Sequence, residues 1–412
     1  MKIKVSIIFV IIILAGINTS TTTHAQTVLT GSTDAGAFFK IAVPDNWNGD
    51  LVIANHGISM DPPGPNPDLG PLAPLQLAEG YAVAASSYQQ NGWALFKTKV
   101  DMQHLLNTFK ENFGQPVNIL ITGGSMGGLV TVEAIEKANL GNIVGGYTFC
   151  GALAGSRGFD MFLDLRLVYD AVCEDVPDAY IPGGAEGLPE GFPFTPSELA
   201  LAVHACTGIL FPPELRTPDQ TNNLAQIIEE INISENLLLN NMYIATFSLS
   251  DLVHAKGKLH GKIATGNVDV LYDDPFIDAA IARVSPSSGA SNRFEKHYTP
   301  TGQVGSTKIV SLHTDKDDVT VVENESEYAA LVFPENLTTA IVVESEPSHC
   351  GFSPSEIVAG WEALRSWITG GPQPTAATIQ ILCEALEPAF GGPCRIDPFF
   401  VVPDMDERVH PR

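Results

Sequence analysis

Basic residues are scarce: 22 Lys and Arg stand against 47 Asp and Glu among 412 residues, a formal net charge of −25. Nucleic acid and anionic membrane surfaces both need clustered positive charge, so this balance argues against either as a partner. Metal and phosphate signatures are missing as well. The chain has no His-Glu-x-x-His, no paired Cys-x-x-Cys and no Gly-Lys-Thr/Ser loop, so neither a metal nor a cofactor is expected. No internal repeat is present, and after the first residues no long apolar run follows.

What is present begins with Met1-Lys2-Ile3-Lys4, a short basic start. Val5 to Ile17 is almost entirely apolar, and Asn18 to Gln26 is small and polar, with Thr23-His24-Ala25 at the usual cleavage positions. That is the tripartite pattern of a secretory signal over residues 1–25, cleaved after Ala25. A membrane anchor is the competing reading, but the run falls short of the roughly 20 residues a bilayer needs. A secreted or periplasmic protein without stable membrane insertion is the expectation. The six cysteines lie in the mature part and fit an oxidising compartment. Cys383 and Cys394 are close in sequence, and Cys173 and Cys206 share one probable cap, which leaves Cys150 and Cys350. Other pairings, and free buried thiols, stay open.

Short continuous apolar runs mark strands covered on both faces: Leu51-Val52-Ile53-Ala54, Tyr81 to Ser87, Val117 to Ile121, Ile143 to Phe149, Thr307 to Leu312 and Thr338 to Val343. Ala35 to Pro44 is extended. Helical spacing marks Val100–Phe113, Leu129–Ala138 and Glu325–Val332. The alternation implies an α/β fold, a mostly parallel sheet with helices on both faces and its ligand site beyond the carboxyl ends of the strands. The expected division is 26–154 for the N-terminal part of the core, 155–304 for an inserted helical cap, 305–371 for the C-terminal part and 372–412 for an extended tail. Within the cap, Thr195-Pro196-Ser197-Glu198 is a capping box, and Gln226 to Met242 reads as helical too.

Gly123-Gly124-Ser125-Met126-Gly127-Gly128 falls between a strand and a helix, the context that gives G-x-S-x-G its meaning. A nucleophile on a strained turn needs small neighbours, supplied by Gly123 and Gly127, and the helix start favours developing negative charge. With these residues the chain resembles the α/β-hydrolase superfamily over most of residues 35–370. The resemblance implies a triad in the order serine, acid, histidine. Ser125 is then the nucleophile. His349, in Ser348-His349-Cys350-Gly351-Phe352 before a second capping box at Ser353–Glu356, is the base. The acid falls in His313-Thr314-Asp315-Lys316-Asp317-Asp318-Val319, where the pattern selects Asp317, with Asp318 and Asp315 as competitors. The oxyanion donors are the amides of Met126 and of Ile58 or Gly57, in Asn55-His56-Gly57-Ile58; His56 itself anchors the loop.

Cys350 after His349 also resembles the His-Cys pair of tannases and feruloyl esterases, where a disulfide ties the histidine loop to the serine loop. Gly124, not cysteine, precedes Ser125 here, which leaves Cys150 as an alternative partner. The resemblance implies a hydrolase of small-molecule or polymeric carboxylic esters. Gly-Gly-Ser-x-Gly-Gly is also similar to prolyl-oligopeptidase-type peptidases, and Gly-Gly-Ser-Met-Gly-Gly to homoserine O-acetyltransferases. Polyester depolymerisation and non-catalytic binding on a hydrolase scaffold complete the alternatives. The sequence leaves the oligomeric state open.

Overall fold

The computed structural model describes residues 6–8 and 26–412. The expected signal segment therefore lies almost wholly outside the described residues. One mixed sheet organises the chain. Its strands are β1 (Ser6–Ile8), β2 (Gln26–Ser32), β3 (Phe38–Pro44), β4 (Leu51–Asn55), β5 (Ala82–Ser86), β6 (Ile119–Gly124), β7 (Ile143–Phe149), β8 (Lys308–Thr314), β9 (Leu337–Val342) and β10 (Ile396–Asp397). They lie in the order β1-β2-β3-β5-β4-β6-β7-β8-β9-β10. From β5 to β9 the neighbours run parallel, while β1, β2, β3 and β10 pair antiparallel at the two edges.

Every residue of β4, β5 and β6 is buried, which is why these segments read as unbroken apolar runs. Side chains alternate between two apolar layers. Leu51, Ile53, Ile119 and Ile121 face one, with the helices Leu95–Phe113 and Met126–Lys137. Val52, Leu120, Val310 and Leu312 face the other, against Trp361 and Leu364 of the helix Pro354–Ile368. After β4 the chain moves to β5 on one side and later to β6 on the other, so β4 and β6 flank a topological switch point. A crevice opens beyond their carboxyl ends, where Asn55 pairs with Gly123.

Between β7 and β8 the described residues form no strand. The major helices there are Ser156–Val172, Pro196–Thr207, Pro218–Ile231 and Ser288–Tyr298, with short turns of helix between them. The helical stretch expected over Gln226–Met242 is helical but interrupted. The first helix is set by a Thr217 capping box and Pro218, and it stops at Asn232, in the left-handed conformation (φ 55°). A shorter helix, Leu238–Tyr243, follows and runs into a π-turn at Ile244–Ser248.

The expected extended tail is also corrected. Residues Ala376–Phe390 form a helix capped by Thr375, and Ile379 and Cys383 of it pack against the sheet's second apolar layer. Ile379, Leu382, Cys383 and Leu386 carry helical spacing, which the surrounding prolines masked; Pro388 sits in the last turn, where the helix is about to end. Three disulfides join Cys150 to Cys350, Cys173 to Cys206 and Cys383 to Cys394, leaving no free cysteine among the described residues. Among those residues no helix is long and apolar enough to cross a membrane.

Candidate active site

Ser125 sits on the turn between β6 and the helix Met126–Lys137, at φ 56° and ψ −131°. A non-glycine residue adopts such angles only when its surroundings over-determine them. The glycines around it show how. A Cβ on Gly127 would lie 2.3 Å from the carbonyl oxygen of Asn55, and one on Gly123 would lie 2.2 Å from that of Gly127. The turn is therefore jammed between β4 and its own helix, and only glycine fits at these two positions. A side chain on Gly124 would strike the Phe149 ring at 2.2 Å. That excludes a cysteine directly before this serine without repacking β7.

His349 lies on the loop between β9 and the helix Pro354–Ile368. Its Nε2 is 2.9 Å from Ser125 Oγ, and its Nδ1 is 2.8 Å from Asp317 Oδ2 and 3.0 Å from Oδ1. Three residues named from the sequence thus form one hydrogen-bonded chain, from three different strand ends. The His349 side chain keeps 25% of its surface exposed while Asp317 keeps none. The ring is open to its surroundings and the carboxyl bonded to it is not. Asp317 Oδ1 also accepts the amide N–H groups of Val319 and Thr320, at 2.9 and 3.0 Å, and Oδ2 that of Cys350 at 3.3 Å. Burial alone would push this carboxyl up, but the bond to His349, the charges of His349 and His313 and the Thr320 amide outweigh it and hold it low.

The competitors for the acid are engaged elsewhere. Asp318 accepts from the amide and hydroxyl of Ser234, between β7 and β8, and pairs with Arg408 near the C-terminus. Asp315 accepts the Glu344 amide at 2.8 Å.

Gly57 packs against the serine: a Cβ there would stand 3.2 Å from Ser125 Cβ. His56 holds this loop. Its ring stacks on Tyr88 with centroids 4.2 Å apart, Nδ1 donates to the Gly57 carbonyl at 2.7 Å, and the Tyr88 hydroxyl donates to the His56 carbonyl at 3.3 Å. Burial pushes the His56 imidazole down, against the bonds to Gly57 and Ser87.

Several supports were not visible in the sequence. His313 is fully buried, with Nδ1 3.0 Å from Glu325 Oε1 and Nε2 donating to the Thr320 carbonyl at 2.6 Å. It pins the same residue whose amide holds Asp317. Arg395, next to β10, reaches the Gly351 carbonyl at 2.6 Å and Glu356 of the Ser353 capping box, and so braces the His349 loop. The Cys150–Cys350 bridge, unlike these two supports, was the pair left over in the sequence, and it ties that loop to the end of β7. Cys150, Cys350 and Ser125 all have positive φ, so backbone strain gathers at this one place. The donor atoms of Cys150, Asp317, His349 and Cys350 lie within 4.8 Å of one another, but the sulfurs are bonded together and both His349 nitrogens have partners. The cluster offers no thiolate to a metal.

Two cavities open at Ser125. One of about 350 Å³ lies between His349 and Leu199, Leu239, Tyr243 and Ile244, all four from the segment between β7 and β8. The other, of about 30 Å³, runs behind Met126 toward Trp93, Met161 and Phe162. A larger cavity of about 570 Å³, lined by Arg157, Asp160 and Arg412, touches none of these groups.

Sheet order, the strand–turn–helix elbow and the switch-point crevice together define an α/β-hydrolase fold. No family profile matches the chain. A stretch of 109 residues, 26% of the chain, is 29% identical to o-phthalyl amidase of Xanthobacter agilis and spans only 23% of that protein. Similar solved structures include feruloyl esterase B of Aspergillus oryzae (14% identity, TM-score 0.44, covering 90% of this chain and 88% of that one). Others are Candida antarctica lipase A in its closed state (10%, 0.45, 94% and 84%) and tannin acyl hydrolase of Aspergillus niger (11%, 0.45, 90% and 84%).

Proposed function

We propose that this protein is a secreted serine hydrolase that cleaves carboxylic ester bonds through an acyl-enzyme on Ser125. The observation that carries the reading is the unbroken chain from Ser125 Oγ through His349 to a buried Asp317. In this reading Ser125 Oγ attacks the carbonyl carbon while His349 Nε2 takes its proton, and Asp317 holds the tautomer that leaves Nε2 free to do so. The amides of Met126 and of Ile58 or Gly57 receive the oxyanion, each worth about 3 kcal/mol in the transition state. His349 then returns the proton to the leaving oxygen, and water repeats the sequence to free the acid. Residues 155–304 act as a cap over the site, and residues 1–25 as the removed export signal. The disulfides support an oxidising destination.

The test is turnover of a panel of simple esters and anilides by the mature protein and by Ser125→Ala and His349→Ala. Ester hydrolysis lost in both variants is the expected result. Anilide cleavage without ester cleavage would instead favour the amidase or peptidase reading.

A further inference from the structure

The cavities at Ser125 share Ile58, Ile244 and Val319 in their walls, yet they touch different halves of the chemistry. His349 lines the cavity of about 350 Å³ and not the small one. Met126 lines the cavity of about 30 Å³ and not the large one. In acyl transfer, the histidine that takes the serine proton hands it to the departing oxygen or nitrogen. The departing group must therefore lie on the His349 side, and the acyl chain on the other side of the carbonyl carbon.

We infer that this enzyme removes short acyl groups, of two or three carbons, from bulky apolar alcohols. The inference rests on the serine-hydrolase reading above and adds its substrate class. The small cavity offers about 30 Å³ where the large one offers about 350 Å³, so only a short acyl chain fits on its side of the serine. Its walls are fixed. Trp93, Met161 and Phe162 are buried core residues, and Asn324 is locked by accepting the Ala154 amide at 2.8 Å and donating to the Val321 carbonyl at 2.7 Å. The large cavity is within the size range of pockets for drug-sized ligands, and Pro196, Leu199, Leu239 and Tyr243 give it an apolar lining. In the reaction the bond from Ser125 Oγ to the acyl carbon forms as the carbon–alkoxy bond breaks. The serine proton leaves on the alcohol through His349, and water then releases the short carboxylic acid and restores the serine.

The test is kcat/KM for p-nitrophenyl esters from acetyl to octanoyl, with methyl and benzyl acetate as the alcohol series. We expect a fall of about 10-fold or more between propionyl and hexanoyl, and a lower KM for benzyl than for methyl acetate. Met161→Ala lengthens the small cavity and should raise the hexanoyl-to-acetyl ratio about 10-fold. Gly158→Ala acts the other way. Its new methyl meets nothing closer than Asn324 Oδ1 at 3.4 Å, so the helix tolerates it, and it should cut propionyl turnover more than acetyl. Octanoyl esters cleaved as fast as acetyl esters, or a chain-length profile unmoved in both variants, would overturn the inference while leaving the hydrolase intact. No hydrolysis of any ester together with no fluorophosphonate adduct at Ser125 would overturn both.

Discussion

Asp317→Asn is the sharpest change the site allows. The carboxylate accepts six bonds: the Val319 and Thr320 amides and His349 on Oδ1, and His349 again with the Cys350 amide and the Thr320 hydroxyl on Oδ2. An asparagine can keep its oxygen under Val319 and Thr320, which places its NH₂ group opposite His349 Nδ1. That group donates, so Nδ1 must become an acceptor and the ring proton moves to Nε2, 2.9 Å from Ser125 Oγ. An Nε2–H cannot take the serine proton. A wrong tautomer in an otherwise intact triad costs about 10⁴ in kcat, or about 5 kcal/mol of transition-state stabilisation. Asp318→Asn is the control: it weakens the contact to Arg408 and should lower the melting temperature without an order-of-magnitude change in rate. Both variants would be compared by initial rates on an acetyl ester, with circular dichroism to verify folding. A folded Asp317→Asn enzyme within tenfold of wild type, or Asp318→Asn as the slower of the two, would rule out Asp317 as the partner that sets the His349 tautomer.

Other outcomes follow from the same structure. Gly127→Ala places a methyl 2.3 Å from the Asn55 carbonyl, so the soluble yield should collapse, and recovery of an active, stable variant would contradict the packing at the elbow. Paired Cys150→Ser and Cys350→Ser removes the tie behind His349 and should cost about 2–5 kcal/mol in urea unfolding, with a larger loss in kcat than in KM. Burial with the Glu362 contact raises Glu79 to about 7 despite Trp361 and Arg365, and burial raises Glu133 to about 7 despite Lys137. The unfolded chain gives up these protons near pH 4.3, so between about 4.3 and 7 the folded state holds more of them and stability falls as pH rises. Scanning calorimetry across that window should show the decline, and Glu79→Gln with Glu133→Gln should flatten it; an unchanged slope would show that these carboxyls do not cause it.

Much of this was legible because parallel strands buried on both faces leave continuous apolar runs. Ile143–Phe149 keeps the bounds its hydropathy gives it. β2 was missed: it is only partly buried, near the sheet edge, and TVLTGS carries no clean alternation. β6 runs to Gly124, three residues past its apolar stretch, because glycines chosen for the elbow still pair in the ladder with β7. The tail helix hid behind prolines, and Asn232 ends one helix inside a stretch that reads as helical throughout. At the site, chain order could name Ser125, His349 and a short list of acids. Choosing among Asp315, Asp317 and Asp318 needed their partners, and Glu344, Ser234 and Arg408 are distant in sequence. The cavity walls and the His313–Glu325 brace come from elements brought together only by folding, so no local pattern marks them.

The central claim is that Ser125 is the nucleophile, and the most direct measurement is fluorophosphonate labelling of the mature protein followed by peptide mass spectrometry. One adduct is expected, on Ser125, lost in Ser125→Ala together with ester turnover. An adduct on any other residue, or turnover that survives in Ser125→Ala, would contradict that claim.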